Sequence, residues 1–399
     1  MQVFNRYILS EICKLFVVAL IAFTAVIVLF GVMQQLLQQG LGTMAVVQLI
    51  PYVLPVSLQF ALPATLLFAV CSVYGRISAD SELLAVMAAG VAPIKFITPT
   101  LIFGLVISLF AVWLSDIAYS WGKPGIKRVV THSIEQVAYG YLESQGAYTS
   151  DNGFSIHVHG IGPDGRELIL PTISHRSQKG GQPTTIEAKS ARMRVDLESE
   201  ELVIELLDSV VAMGNQGPRM DKPGLFSFAI PLSDATKKST GKEPSDFPMR
   251  LMSVERQRQY QAIEETEDLL AARAGMALAV GKFEWLSDSH QQELSAKANS
   301  GRHRLNRLRM EPWRRWAGGF SCLFFVWLGI PLSIWMRSAD HWTSFGTCFL
   351  PTLLVYYPVF TIGLDHARAG TWHPAAIWLG NLALFIVGAW WMRRIYRTS

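Results

Sequence analysis

No Lys, Arg, Asp, Glu or His occurs anywhere between Leu15 and Gly75, a stretch of 61 residues. A water-soluble domain cannot leave so long a stretch uncharged, because its surface must remain solvated. Only 17% of the 399 residues are charged, against roughly 25% in soluble globular domains. A helix that spans a bilayer needs about 20 apolar residues, so the charge-free stretch has room for two. The missing charges therefore exclude an ordinary soluble protein.

Cysteines and catalytic motifs are also scarce. The four cysteines lie in or beside apolar stretches, so they imply no disulfide framework. The sequence contains no G-x-S-x-G nucleophile elbow and no H-E-x-x-H zinc motif. No charged residue lies deep within a predicted span, which argues against a proton-driven transporter. The net charge of +4 is spread along the chain and gives no reason to expect nucleic acid as a partner.

Six apolar stretches remain, and each is long enough to span a membrane. The spans are predicted near residues 15–37, 49–74, 96–119, 316–336, 342–364 and 374–392. The positive-inside rule places both termini and the loops after spans two and four in the cytoplasm. The basic residues that carry this assignment are Arg6, Lys14, Arg76, Lys95, Arg337, Arg393, Arg394 and Arg397. An arginine cluster at 302–315 breaks the rule, after a long translocated region where charge has less influence on topology.

The region between spans three and four divides into a strand-like part and a helical part. Alternating residues at 154–159 and 167–170 flank a Pro163-Asp164-Gly165 turn, a pattern that predicts a hairpin. Further strand-like runs occur at 184–195, 201–212 and 224–231. Several short strands with turn signals favour a sandwich or a jelly roll. Residues from about 250 to 310 are polar and predict helix.

Three motifs resemble ligand sites without the required context. Residues 160–165 fit G-x-G-x-x-G, but a turn and a strand follow where a dinucleotide site needs a helix. Residues 275–282 resemble a phosphate loop with one residue too many, and Phe283 replaces the required Ser or Thr. His157 and His159 share a predicted strand face but have no further ligands nearby, so we interpret them as exposed histidines. The chain is expected to have no ATP site and no metal site of its own.

The loop after span two predicts a short helix. Ser78 or Asp80 is expected to cap its N-terminus, Glu82 suits the positive end of the helix dipole, and Gly90 is expected to end it. The helix is apolar for a cytoplasmic loop, through Leu83, Leu84, Val86, Met87 and Ala88. Such a helix lies on the membrane surface or contacts a partner.

At this loop the sequence resembles the lipopolysaccharide export permeases LptF and LptG. Residues 82–90, Glu-Leu-Leu-Ala-Val-Met-Ala-Ala-Gly, are similar to the family's Glu-Leu-x-Ala-x-x-x-Ala-Gly helix. The other similar stretches are 6–9 before span one, 303–305 and 312–313 before span four, 328–332 inside it, 356–357, and 372–381 at the start of span six.

The resemblance implies an α-helical membrane protein with six transmembrane helices and a periplasmic β-jelly-roll domain inserted between helices three and four. The expected parts are 1–122 for the first three helices, with a coupling helix at about 79–90, then 123–248 for the jelly roll, 249–312 for a periplasmic helical segment and 313–399 for the last three helices. By the same resemblance, the chain is a non-catalytic permease in the bacterial inner membrane that passes lipopolysaccharide toward the outer membrane.

The implied partners are a paralogous chain in an F/G heterodimer, a cytoplasmic ATPase dimer that carries the ATP and Mg, and a periplasmic bridging protein of jelly-roll fold. Contact with the ATPase is expected through Asp80, Ser81, Glu82, Leu83, Leu84, Met87 and Gly90. Family members often carry basic residues at the outer end of span one, where this sequence has glutamines. Lipid contact is expected from Gln34, Gln35, Gln38, Lys123, Lys127, Arg128, Arg302 and Arg304, with interfacial anchoring as the alternative for the basic residues.

Two other functions remain open on the residues alone. A membrane-bound lipid-modifying enzyme would need polar groups at the membrane surface, and the outer loop after span five offers Asp365, His366 and His373. A mechanical transmitter linked to an ABC ATPase would move the periplasmic domain without carrying lipid. Lipid contact inside the helix bundle separates the transporter from the transmitter.

Overall fold

A computed structural model describes most of the chain. The described residues are 2–39, 43–129, 142, 146–149, 154–162, 167–175, 184–196, 201–213, 219–231, 243–336 and 340–398. The chain divides into two compact units. The first comprises Met1–Phe30, Pro51–Lys123 and Pro244–Ser399, and the second comprises Gly31–Ile50 and Pro124–Glu243.

The helices of the N-terminal third are long and apolar. They are α1 (Gln2–Gln39), α2 (Thr43–Ala79), the short α3 (Glu82–Ala88) and α4 (Ile94–Ile117). The chain continues from α4 through a π-helical turn (Ala118–Gly122) and stays helical to residue 129. Three prolines lie inside α2, where neighbouring helices can satisfy the freed backbone groups.

The C-terminal helices are α5 (Met249–Val280), α6 (Ser289–Met336), α7 (His341–Ala369) and α8 (Leu379–Thr398). Six helices of the described chain are long and apolar enough to cross a membrane, namely α1, α2, α4, the apolar part of α6, α7 and α8. The prediction of six spans is therefore confirmed.

Helix α6 does not divide as the sequence predicted. Its 48 residues would extend about 70 Å at the usual rise, far more than one span requires. It runs without a break from the polar segment through Pro312 into the apolar part. Helix α5 packs along the polar half of α6, and this tertiary support explains why the helix continues, since packing contributes most of a helix's stability.

The second unit contains one antiparallel sheet among the described residues. Its strands are β1 (Ala147–Thr149), β2 (Phe154–His157), β3 (Gly160–Ile161), β4 (Leu168–Ile169), β5 (Thr172–His175), β6 (Thr184–Asp196), β7 (Glu201–Met213) and β8 (Arg219–Pro231). The strand order is β1-β2-β5-β6-β4-β3, and β7 pairs with both β6 and β8. Alternate residues such as Ile186, Ile204 and Leu206 form the buried core. The antiparallel strands agree with the sequence pattern, while the jelly-roll arrangement remains a prediction.

The predicted hairpin is correct in part. Strands β3 and β4 pair as expected on either side of the turn, whose residues 163–166 lie outside the described part of the chain. Strand β2, however, pairs with β1 and β5 instead of with residues 167–170. The change of partner follows from burial, because this register places Ile156 opposite Ile173 and buries both.

The two glycine-rich motifs have structural roles. Residues 160–161 lead to an antiparallel strand and not to a helix, which confirms the hairpin interpretation. Gly281 ends α5 in a left-handed conformation with φ of 75°, so the string that resembles a phosphate loop is a helix terminus. His157 lies in β2 and His159 lies just beyond it, and both are exposed as predicted, although they do not share one strand.

Candidate functional site

Helix α3 is anchored to the first unit by its apolar face. Leu83 is only 1% exposed and belongs to a buried cluster with Ile77, Phe96 and Ile97. Met87, one turn later, packs against the same cluster. Both residues are predicted to contact a partner; in this chain the core covers Leu83, and contact with a partner stays a prediction. The apolar character of the loop helix thus serves to attach it.

The opposite face of α3 is open to solvent. Glu82, Ala85 and Ala88 are exposed on the helix, as are the flanking residues Asp80, Ser81, Ala89 and Gly90. The side chain of Leu84 lies outside the described part of the structure. The exposed face therefore combines two carboxylates with small side chains, which leave the helix backbone accessible.

The start of α3 differs from the prediction. Ser78 lies in the last turn of α2, where its hydroxyl donates to the carbonyl of Ile334 at 2.9 Å. The cap residue is Ser81, with a left-handed φ of 62° and no hydrogen bond from its side chain. A non-glycine residue in this conformation costs roughly 1–2 kcal/mol, and such residues cluster at functional sites. The end of the helix is as predicted, because Gly90 follows it with φ of 81° and donates to the carbonyl of Met87 at 2.9 Å.

Polar contacts join α1 to the end of α2, just before α3 begins. Arg76, near the end of α2, donates to Glu11 of α1 at 3.1 Å and lies 3.4 Å from the hydroxyl of Tyr7. Glu11 also pairs with Lys14 at 3.3 Å. These groups are partly exposed, so their contribution to stability is small, but they define how the two helices meet.

Helix α4 is hydrogen-bonded to α1 and α2 near the same helix ends. The buried Tyr74 hydroxyl donates to the carbonyl of Phe96 at 3.0 Å and lies 2.8 Å from the hydroxyl of Thr100. The Asn5 side chain donates to the carbonyl of Lys95 at 3.1 Å. The loop that carries α3 is thus held by hydrogen bonds at both of its ends.

The residues predicted to contact lipid fall into two groups. Gln34, Lys123, Lys127 and Arg128 are exposed, and the side chains of Gln35 and Gln38 lie outside the described part. By contrast, Arg302 pairs with Glu267 at 2.8 Å and Arg304 pairs with Glu255 at 3.3 Å. These carboxylates belong to α5. The two arginines therefore join α5 to α6, a role that the sequence alone did not indicate.

A buried charged network at the junction of α4 and α6 was missed by sequence reasoning. The Arg315 side chain has no solvent exposure and pairs with Asp116 at 2.5 Å. Glu311, 4% exposed, accepts from Arg314 at 2.6 Å. One signal was available, since span three ends with an acidic residue and span four is preceded by arginines on the same side of the membrane.

The three residues that a lipid-modifying enzyme could use each contact residues nearby in the chain. Asp365 pairs with Arg368 at 3.8 Å. The His366 ring stacks on Trp372, with centroids 4.3 Å apart. Nδ1 of His373 accepts from the backbone N–H of Ala375 at 3.2 Å and caps the following turn. Asp365 and His366 therefore lie near the end of α7 and not in the predicted loop, because the helix continues to Ala369, whereas His373 lies in the loop that follows.

The six long apolar helices and the strand-rich unit together define a polytopic membrane protein. The family described as lipopolysaccharide export system permease LptF/LptG matches residues 6–394. The chain belongs to this family, and it is accordingly an inner-membrane component of a lipopolysaccharide export system. No curated protein matches the sequence significantly.

Proposed function

We propose that this chain is the permease subunit of an ABC transporter that extracts lipopolysaccharide from the inner membrane. A separate ATPase dimer supplies the energy, and a periplasmic bridging protein of jelly-roll fold receives the lipid. The observation that carries the proposal is the position of α3 in a member of this family. It exposes Glu82 and Ala85 while Leu83 is anchored in the core.

Helix α3 is the docking surface for the ATPase. Asp80 and Glu82 supply negative charge, and such charges guide a partner of complementary potential. Ala85 and Ala88 allow a close approach to the helix. Because Leu83 and Met87 hold the helix on the core, a push on its exposed face moves the ends of α2 and α4 with it.

The orientation follows from the basic residues. Arg6, Lys14, Lys95, Arg393 and Arg394 are exposed at one set of helix ends, which the positive-inside rule assigns to the cytoplasm. Both termini and α3 then face the ATPase. The jelly roll of residues 123–248 and the helical segment of 249–312 are periplasmic, between the helices of 1–122 and those of 313–399. A paralogous chain completes the transport path.

Lipid head groups contact the outer ends of the first and third spans. Gln34, Gln35 and Gln38 offer hydrogen bonds, and Lys123, Lys127 and Arg128 offer positive charge to anionic groups. Arg302 and Arg304 are not part of this lipid surface, because their guanidinium groups are paired with carboxylates of α5.

Co-purification with the ATPase tests the docking surface. Glu82→Arg reverses a charge on α3, and Ala85→Trp adds bulk there without a charge. Glu284→Arg is the matched control, since Glu284 is an exposed acidic residue of the short 3-10 helix before α6. We expect the two α3 variants to lose at least tenfold of the bound ATPase and the control to retain it. Wild-type binding by both α3 variants would overturn the docking proposal.

Photocrosslinking separates a lipid carrier from a mechanical transmitter. A photoreactive residue at Gln34 is expected to capture lipopolysaccharide during ATP turnover. The same residue at the exposed position Gln257 of α5 serves as the control. Equal capture at both positions, or none at Gln34, would favour the transmitter.

A further inference from the structure

The buried charged network lies where the chain leaves and re-enters the membrane helices. Asp116 is in the last turn of α4, shortly before the strand-rich unit begins at Pro124. Residues 244–249 follow that unit and lead into α5. Arg315 is on α6, at the beginning of its apolar part. Three separate segments of the first unit therefore meet at one place.

Arg315 is the centre of this network. One terminal nitrogen donates to Asp116 at 2.5 Å. The other donates to the backbone carbonyls of Ser245 and Phe247 at 2.7 and 2.9 Å. The planar guanidinium presents several donors in fixed directions, so one side chain joins α4 and the returning segment to α6.

Asp116 completes the connection from the other side. The same carboxylate oxygen that accepts from Arg315 also accepts from the backbone N–H of Met249 at 2.8 Å. Met249 is the first residue of α5. The returning segment is therefore held at its carbonyls by α6 and at an N–H by α4, through hydrogen bonds to charged groups, which are about twice as strong as neutral ones.

A second layer fixes the arginines. Glu311 accepts two hydrogen bonds from Arg314, at 3.1 and 2.6 Å, and lies 3.9 Å from Nε of Arg315. Arg314 also donates to the hydroxyl of Tyr119 at 2.8 Å. Tyr119 belongs to the π-helical turn after α4, and π-helical turns occur frequently at functional sites.

We propose that the Arg315–Asp116 network is the joint through which α4, α6 and residues 244–249 move together during transport. This inference rests on the proposed function. The ATPase moves the ends of α2 and α4 through α3, and α4 packs against the apolar part of α6. The network then carries residues 244–249 along with these helices. Arg315 and Asp116 are positioning residues, because they act through this segment and not on the lipid.

A joint and a simple stabilising contact predict different results for a conservative substitution. Arg315→Lys preserves the charge, but a single ammonium cannot hold a carboxylate and two carbonyls in the same fixed geometry. Asp116→Asn preserves an acceptor for the Met249 N–H and removes only the charge. If the joint is loosened while the protein stays folded, the ATPase continues to hydrolyse ATP but lipid is not moved. A stabilising contact affects hydrolysis and transport together.

The experiment uses the complete complex, with the paralogous chain and the ATPase, in proteoliposomes that contain lipopolysaccharide. Arg307→Lys is the matched control, since Arg307 is an exposed arginine of the same helix. We expect Arg315→Lys to reduce lipopolysaccharide transfer to the bridging protein at least tenfold while ATP hydrolysis stays within twofold of wild type. Asp116→Asn is expected to show the same separation to a smaller degree, and the control should show neither effect.

Hydrogen–deuterium exchange gives a readout that does not depend on transport. The backbone amides between the prolines and at Met249 (Ser245, Asp246, Phe247 and Met249) should exchange faster in Arg315→Lys, while β6, β7 and β8 keep wild-type protection. The inference is overturned if hydrolysis and transfer fall in parallel, if neither changes, or if exchange at 243–249 is unaltered. Failure of the wild-type complex to transfer lipid would instead contradict the proposed function, and the exchange result would still test the joint.

Discussion

The hydroxyl of Ser78 donates a hydrogen bond of 2.9 Å to the carbonyl of Ile334, which is 256 residues later in the chain. Ile334 lies in the last turn of α6, where carbonyls have no partner within the helix. The bond therefore satisfies a buried acceptor and joins the end of α2 to the end of α6. Because α3 begins four residues after Ser78, the loop helix is tied to both membrane halves of the chain.

Loss of this hydrogen bond should lower the stability of the protein where the end of α2 meets the end of α6. In Ser78→Ala the carbonyl of Ile334 loses its partner, and we expect a cost of about 1 kcal/mol. Thr98→Ala is the matched control, since the exposed Thr98 hydroxyl bonds only within its own helix, to the carbonyl of Ile94. Thermal unfolding of the purified protein in detergent measures both. Equal stability of Ser78→Ala and wild type would show that the bond contributes nothing.

Two adjacent glycines of α6 should respond in opposite ways to the same substitution. A Cβ at Gly319 would overlap the backbone and side chain of Val112 on α4, whereas a Cβ at Gly318 would meet no atom within 4 Å. We expect Gly319→Ala to force the helices apart at a cost of about 1–3 kcal/mol. Gly318→Ala should be neutral, or stabilising by up to about 1 kcal/mol through helix propensity.

Unfolding by detergent titration compares these two variants in one experiment. The close packing of α4 on α6 would be contradicted if Gly319→Ala were as stable as Gly318→Ala. A lower transfer rate in Gly319→Ala with intact binding of the ATPase would further connect this crossing to transport.

The ion pair between Arg302 and Glu267 should contribute to the stability of the protein and should not affect lipid binding. Both side chains are largely exposed, at 60% and 43%, so reversing one charge should cost no more than about 1 kcal/mol. We expect Arg302→Glu to destabilise the protein slightly and the double variant Arg302→Glu/Glu267→Arg to restore it. Capture of lipopolysaccharide at Gln34 should be the same in all three proteins. Reduced capture in the double variant would return Arg302 to the lipid-contacting residues.

Much of the membrane architecture could be predicted from the sequence. Spans depend on length and on the absence of charge, and both are local properties, so all six were found. The long strands were also predicted closely, because alternation over 184–195 and 201–212 marks β6 and β7 directly. Local patterns of this kind need no knowledge of which segments meet.

The remaining features depend on partners that are distant in sequence. The sequence predicts that Leu83 contacts a partner, and only the folded chain shows that Ile77 and Phe96 surround it. The sequence suggests that Arg315 is an interfacial arginine, and only the folded chain shows its pairing with Asp116, 199 residues earlier. Strand β2 changes partner because burial favours Ile173. None of these pairings leaves a periodic signal in the sequence.

ATP-driven release of lipopolysaccharide tests the central claim most directly. Proteoliposomes that contain lipopolysaccharide, this chain, its paralogous partner and the ATPase are given ATP, and the lipid captured by the bridging protein is measured. We predict transfer that requires ATP and falls at least tenfold in Glu82→Arg, while Glu284→Arg transfers as wild type does. Transfer that is absent in the wild-type complex, or independent of ATP, would contradict the account.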